Sequence, residues 1–151
     1  MTKWKNVPVY SQKTLNLCWE ACARMMWHWR HGDLQDYEKK AGDYAHRNMG
    51  LSHTEMDIFY QKLGLRSLRN PGGGNLVHAL KWTPVIFTLT DKVYGHALVA
   101  TDYTNQGYSA INPCGIEVVS FEDGADSCTG GKVNLAKDYI ERNLGDYIWY
   151  W

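Results

Sequence analysis

Long apolar runs are missing from this 151-residue chain: no window approaches the roughly 18 consecutive apolar residues that a spanning helix needs. Met1 to Asn6 is polar and leads into no apolar core, so no signal peptide is encoded, and the chain as given is expected to be soluble and uncleaved. An excess of charge of one sign is missing too. Sixteen Lys+Arg balance sixteen Asp+Glu without forming a basic stripe, which removes the electrostatic footprint of a nucleic-acid binder and weakens a membrane-surface role. Repeats, low-complexity tracts and linkers are absent, so residues 1–151 are expected to form a single domain. Cysteine is scarce. Cys18, Cys22, Cys114 and Cys128 sit in a domain larger than typical disulfide scaffolds, so reduced thiols are expected and a Cys114–Cys128 bond has no support from the sequence.

Apolar bulk, by contrast, is plentiful. The hydrophobic share is 44%, with seven Trp and ten Tyr, enough for burial to offset chain entropy without metals or disulfides as staples. "VPVYSQ" is an extended entry, because Pro8 biases its neighbour away from helix and Val7, Val9 and Tyr10 suit a strand. A helix starts near Asn16. From Leu17 to Trp29 apolar residues fall on every face, which marks a helix buried by its surroundings, and Gly32 stops it. Asp33 to Ala45 is a weaker, more polar helical patch. "SHTE" (Ser52 to Glu55) is a capping box that opens a helix through Leu63, closed by Gly64. "NPGGGN" (Asn70 to Asn75) is a turn cluster, and Leu76 to Trp82 fits two helical turns.

Beyond Pro84 the periodicity changes. "PVIFTLT", "ALVATDY", "GYSAIN" and "IEVVSF" are β-branched or aromatic runs separated by Gly, Asn and Asp, with "TNQG" (Thr104 to Gly107) as a hairpin turn. Residues 124–134 read as loop, and the terminal "YIWYW" as bulk that packs. Helices first and antiparallel strands second give the α+β class.

The chemistry gathers around "SQKTLNLCWEAC". With Asn16 as cap, Cys18 lies in the first helical turn, where unpaired N–H groups and the positive end of the helix dipole lower a thiol pKa. Packing is the alternative, since a free cysteine behaves as a small hydrophobe. The Gln12 amide has two donors that a back-turning chain would aim beside Cys18, where an oxyanion forms during acyl transfer. A zinc set built from Cys18, Cys22, His28, His31 or Cys114 lacks any C-x2-C or H-x3-H pair, so no metal is expected, and Cys22 is read as core. "PGGGN" has no Lys-Ser/Thr after it and is a connector, not a phosphate loop.

Pro8, Gln12, Cys18, Trp19 and Ala21 form a "P-x-x-x-Q" and "C-W-x-A" pattern; "TPVIFTLT", "GHALVATDY" and "INPCG" follow. Together these resemble the papain-like cysteine peptidases, in particular the compact bacterial branch of bacteriocin-processing peptidases and secreted effector proteases, over roughly Val7 to Phe121. The resemblance implies a helical half and a β half meeting at a cleft. It implies Cys18 as nucleophile, His96 as general base and then acid, Asn112 as orienter of the imidazole, Gln12 as oxyanion donor, and no cofactor. Trp19, next to Cys18, is expected to line the cleft. His28 and His31 lie at least ~15 Å along the helix from Cys18 at ~1.5 Å per residue, and His46, His53 and His78 read as surface residues.

Asn112 is the least secured of these by strand geometry. A two-residue turn at Asn105-Gln106 pairs residues whose numbers sum to 211, which puts His96 and Asn112 on opposite faces. A longer connection using Gly107 in the left-handed conformation, or a bulge, restores the parity, and Asp102 is the fallback orienter. The implied biology is a bacterial toxin or effector protease acting on a protein in the target-cell cytoplasm, injected without a signal peptide and countered by a cognate immunity protein. Three alternatives keep the constellation: a peptidoglycan amidase or endopeptidase in the periplasm, a transglutaminase-like acyltransferase, and an inactive peptide-binding domain.

Overall fold

The computed structural model describes residues 3–12, 17–70, 73–90, 96–114 and 130–151. Its first half is helical. Helix α1 (Cys18–His31) is followed by α2 (Tyr37–Ala41), a 3-10 turn (Gly42–His46) and α3 (His53–Lys62). Strand β1 (Arg66–Arg69), helix α4 (Gly74–Ala79), strands β2 (Val85–Leu89), β3 (His96–Thr104), β4 (Gly107–Asn112) and β5 (Gly131–Ala136), helix α5 (Lys137–Asn143) and strand β6 (Leu144–Tyr150) complete the chain. The six strands form one sheet in the order β1-β6-β2-β3-β4-β5, every neighbouring pair antiparallel. The α+β class expected from the sequence is the one found.

The sheet carries a core on each side, which explains why its central strands are apolar without interruption. Ile86, Ala97, Val99 and Trp149 face the cluster built by α1, α2 and α3, while Val85, Phe87, Leu98, Ala100 and Ile148 face the cluster of Leu76 and Leu80 in and after α4 and Ile140 of α5. Strand residues buried on both faces lose the polar alternation of a half-exposed sheet. Helix α1 is embedded likewise, with Cys22, Ala23, Met25 and Met26 fully buried. Its C-terminus is closed by Gly32 in the left-handed conformation (φ 87°), whose N–H donates to the His28 carbonyl. Ser52 caps α3 by accepting from the Glu55 N–H; the Glu55 carboxylate meets the Ser52 hydroxyl, so only the first half of the expected capping box forms.

Several expectations need correcting. Residues 131–134, at the end of the stretch read as loop, belong to the edge strand β5 (Gly131–Ala136), which pairs along β4 although "GKVNLA" carries few β-branched side chains. Strands β1 and β6 and helix α5 left too little periodicity to be read. Helix α4 begins at Gly74, two residues before the expected start. Leu17, not Asn16, is the N-cap of α1, without a side-chain cap bond; Asn16 itself lies outside the described residues. The "IEVVSF" strand and Cys128 also lie outside them. Cys114 is disulfide-bonded, whereas Cys18 and Cys22 are free, so reduced thiols throughout is not what is found.

One charged residue is buried in α1. Glu20, 2% exposed, takes both oxygens to Arg24 Nε at 2.7 and 2.8 Å and accepts from Tyr37 Oη at 2.6 Å, joining α1 to α2. Removing the guanidinium takes a hydrogen-bonded positive charge away from a buried carboxylate. Arg24→Ala is therefore expected to cost ~3–5 kcal/mol in urea unfolding, and replacing both Glu20 and Arg24 by Met to cost less than the single change.

Candidate active site

Parity along the β3–β4 hairpin decides where the site residues fall. The turn is the two-residue one: Thr104 pairs Gly107 and Asp102 pairs Ser109. Beyond it the register shifts, so that Ala100 pairs Ala110 and Val99 pairs Ile111. Thr101 is the extra residue of this β-bulge. Its carbonyl accepts from the Trp4 N–H at 3.0 Å, and its hydroxyl donates to the Ser109 carbonyl at 3.2 Å. The bulge turns the pairing sum from 211 to 210, which puts Asn112 opposite Leu98 and on the same face as His96.

The result is a contact. His96 Nε2 lies 2.7 Å from Asn112 Oδ1, both side chains buried. The same Oδ1 accepts the Cys114 backbone N–H at 3.0 Å, and because an amide N–H can only donate, that atom is the oxygen. His96 Nε2 therefore carries the proton, and Nδ1 carries the lone pair of the neutral ring. Asp102 is not the orienter. It pairs Ser109 below the bulge, and its carboxylate accepts from the Tyr103 N–H. Gly107 is not in the left-handed conformation expected; at φ 157° it is needed because a Cβ would collide with the Leu135 carbonyl of β5.

Cys18 is the first residue of α1 and 9% exposed. The backbone N–H of Ala97, the residue after His96, acts on its thiol to favour the thiolate, and α1 packs against β3. Burial pushes the Cys18 thiol above its ordinary 9.0, and the backbone N–H groups of Ala97, Trp19 and Cys18 itself pull the other way without prevailing. This reverses the lowering expected from the helix end alone, because desolvation of a buried thiolate outweighs three amide donors. Gln12, 1% exposed, is fixed through its own N–H to the Pro113 carbonyl at 2.9 Å, one residue from Asn112. Trp19 does not line a cleft. It is buried with its indole N–H on the Met49 carbonyl and its ring edge-on to Phe59 and Tyr44, a packing residue of the helical half.

His96 and Asn112 thus meet at the start of β3 and the end of β4, with the Gln12 backbone bonded to the residue after Asn112 and the Cys18 tip of α1 beside the residue after His96. Comparison with known families places this geometry. A family model described as papain-like cysteine protease AvrRpt2 matches residues 1–112, a span that ends on Asn112. The chain belongs to this papain-like cysteine protease family. The peptidase domain of Streptococcus mutans ComA has a similar fold, at a TM-score of 0.54 and 12% identity, covering 93% of this chain and 95% of that one. No curated protein matches the sequence. As a papain-like protease, the chain is a cysteine peptidase of α+β fold acting on protein substrates. No helix among the described residues is long and apolar enough to cross a membrane.

What the sequence did not reveal in this protease is held in backbone atoms. The Ala97 N–H and Pro113 carbonyl carry no side-chain signature, although Pro113 stands inside the "INPCG" motif. Gly130 does leave one: a Cβ there would sit 3.2 Å from the Asn112 and Tyr10 carbonyl oxygens.

The raised thiols have a direct consequence for pH. The unfolded chain releases the protons of Cys18 and Cys22 around 9.0 while the folded chain holds them, so their stabilisation is complete below 9.0 and is lost as the pH rises above it. Tyr60, raised well above 10.0, acts in the same direction. Unfolding free energy is expected to fall with each step of pH beyond 9.0. Iodoacetamide alkylation of Cys18 in the substrate-free protein is expected to climb through the same range rather than level off near neutrality.

Proposed function

We propose that Cys18, His96, Asn112 and Gln12 hydrolyse peptide bonds in a protein substrate. His96 Nδ1 takes the Cys18 thiol proton as the sulfur attacks the scissile carbonyl, so the buried thiol need not be ionised beforehand. Asn112 keeps the imidazole in the tautomer that allows this and steadies the imidazolium once formed. Gln12 and the Cys18 backbone N–H donate to the tetrahedral oxyanion. His96 then protonates the departing amine, leaving a thioester on Cys18. Water, deprotonated by His96, releases the new carboxylate, and the proton returns to sulfur. The observation that carries this reading is the 2.7 Å His96–Asn112 bond at the start of the strand against which α1, the helix that begins with Cys18, packs.

The substrate setting we infer is that of a toxin or effector: a protein in a target cell, cleaved by a protease that is held in check in its producer by an immunity protein. What supports it is the resemblance of the Pro8, Gln12, Cys18, Trp19 and Ala21 pattern and the "GHALVATDY" and "INPCG" motifs to secreted effector proteases. A second reading is favoured by the Cys114 disulfide, since such bonds persist in oxidising compartments: the same chemistry applied to peptidoglycan amide bonds in the periplasm.

Expression in the cytoplasm separates the two readings. For the first, wild type is expected to be toxic there and to create new protein N-termini absent from the Cys18→Ala sample; for the second, harm appears only on export. Wild-type and Cys18→Ala samples with identical N-termini and equal harm in both compartments would sink both readings.

A further inference from the structure

The Gln12 segment is tied to both halves of the molecule. On one side its partners belong to the sheet: the Gln12 N–H donates to the Pro113 carbonyl at 2.9 Å, and Ser11 Oγ accepts the Gly130 N–H at 2.8 Å at the entrance to β5. On the other side the partner belongs to α1. Tyr10 Oη is hydrogen-bonded to His28 Nδ1 at 2.7 Å, the rings 5.8 Å apart. His28 stands ten residues along the same helix whose tip carries Cys18, too far to touch a reacting atom at ~1.5 Å per residue. No part of the reaction as described uses Tyr10, Ser11 or His28.

We propose that the Tyr10–His28 pair positions the oxyanion donor: it registers the Gln12 strap against α1, the element that carries the nucleophile, while Pro113 and Gly130 register it against the end of β4, which carries Asn112, and the start of the neighbouring β5. Only Ser11 separates Tyr10 from Gln12, a span of at most ~7 Å of extended chain. Motion at the Tyr10 ring therefore passes to the Gln12 amide with little slack. Tyr10 and His28 are positioning residues, not catalytic ones. The inference rests on Gln12 being an oxyanion donor.

That dependence sets the experiment. Alkylation of Cys18 by iodoacetamide displaces iodide from carbon and builds no oxyanion, so it reports the nucleophile alone; hydrolysis of a fluorogenic peptide reports nucleophile and oxyanion donor together. Gln12→Ala is expected to lower kcat by roughly 10²–10³-fold. Tyr10→Phe and His28→Ala are each expected to lower kcat by about tenfold through misplacement of that donor, with KM and the Cys18 alkylation rate unchanged. His28→Gln, whose amide can donate or accept in place of the ring nitrogen, is expected to recover most of the loss, and Tyr10→Phe to have no further effect in the Gln12→Ala background. Labelling of the buried Cys22 identifies any variant that has unfolded. Wild-type kcat in Tyr10→Phe beside a crippled Gln12→Ala overturns the positioning role alone. Alkylation that slows in parallel with kcat overturns it as well, since a general loosening of α1 would then explain the loss. Wild-type kcat in Gln12→Ala overturns the oxyanion reading beneath it.

Discussion

The β-bulge at Thr101 is the constraint on which the site depends. Side chains on a strand alternate faces, so a hairpin closed by the Asn105-Gln106 turn would separate His96 from Asn112 however well the rest of the molecule packed. One extra residue corrects this over the whole upper half of the hairpin. An extra residue in a ladder leaves backbone groups unpaired, and burying them unsatisfied is costly. Here the Thr101 carbonyl is taken by the Trp4 N–H, and Trp4 is itself anchored through its indole on the Leu80 carbonyl. The N-terminal segment that leads to Gln12 thus also completes the bulge that aligns His96 with Asn112.

A second constraint is burial. Gln12, His96 and Asn112 are all but inaccessible and Cys18 is nearly so, which strengthens each hydrogen bond among them and raises the cost of any charge without a partner. Desolvation therefore wins at Cys18 and keeps its proton in place. In the reaction we propose, a reactive thiolate is then created at the moment of attack, by a base whose lone pair is aimed in advance. The doubly accepting Asn112 oxygen does that aiming, because it leaves His96 one tautomer compatible with its surroundings.

Much of this was legible from residue order, and the limits were physical. The embedded character of α1, the Gly32 stop and the apolar strands after Pro84 follow from patterns borne by side chains, and the candidate residues Gln12, Cys18, His96 and Asn112 from the resemblance of their motifs to the papain-like peptidases. The parity conflict was legible as well, since register arithmetic alone shows that a two-residue turn and a His96–Asn112 contact need a bulge or a longer loop. Its location was not, because Thr101 is a normal strand residue whose role is set by the distant Trp4. Strands β1, β5 and β6 were missed where short segments are held by their neighbours rather than by their own alternation. The thiol's direction was misjudged because a helix end can be read from sequence, whereas the depth at which it is buried cannot.

The account's central claim is that Cys18, His96 and Asn112 act as one connected unit, and covalent trapping by a peptidyl epoxide tests it most directly. Mass spectrometry of the adduct in wild type, His96→Ala and Asn112→Ala gives both the site and the rate. The account predicts a single adduct on Cys18, abolished by His96→Ala and slowed by Asn112→Ala, in proteins that unfold at the same temperature. Adducts forming on Cys18 at equal rates in all three would contradict it, since the thiol would then be acting without its imidazole and without the strand register that the bulge provides.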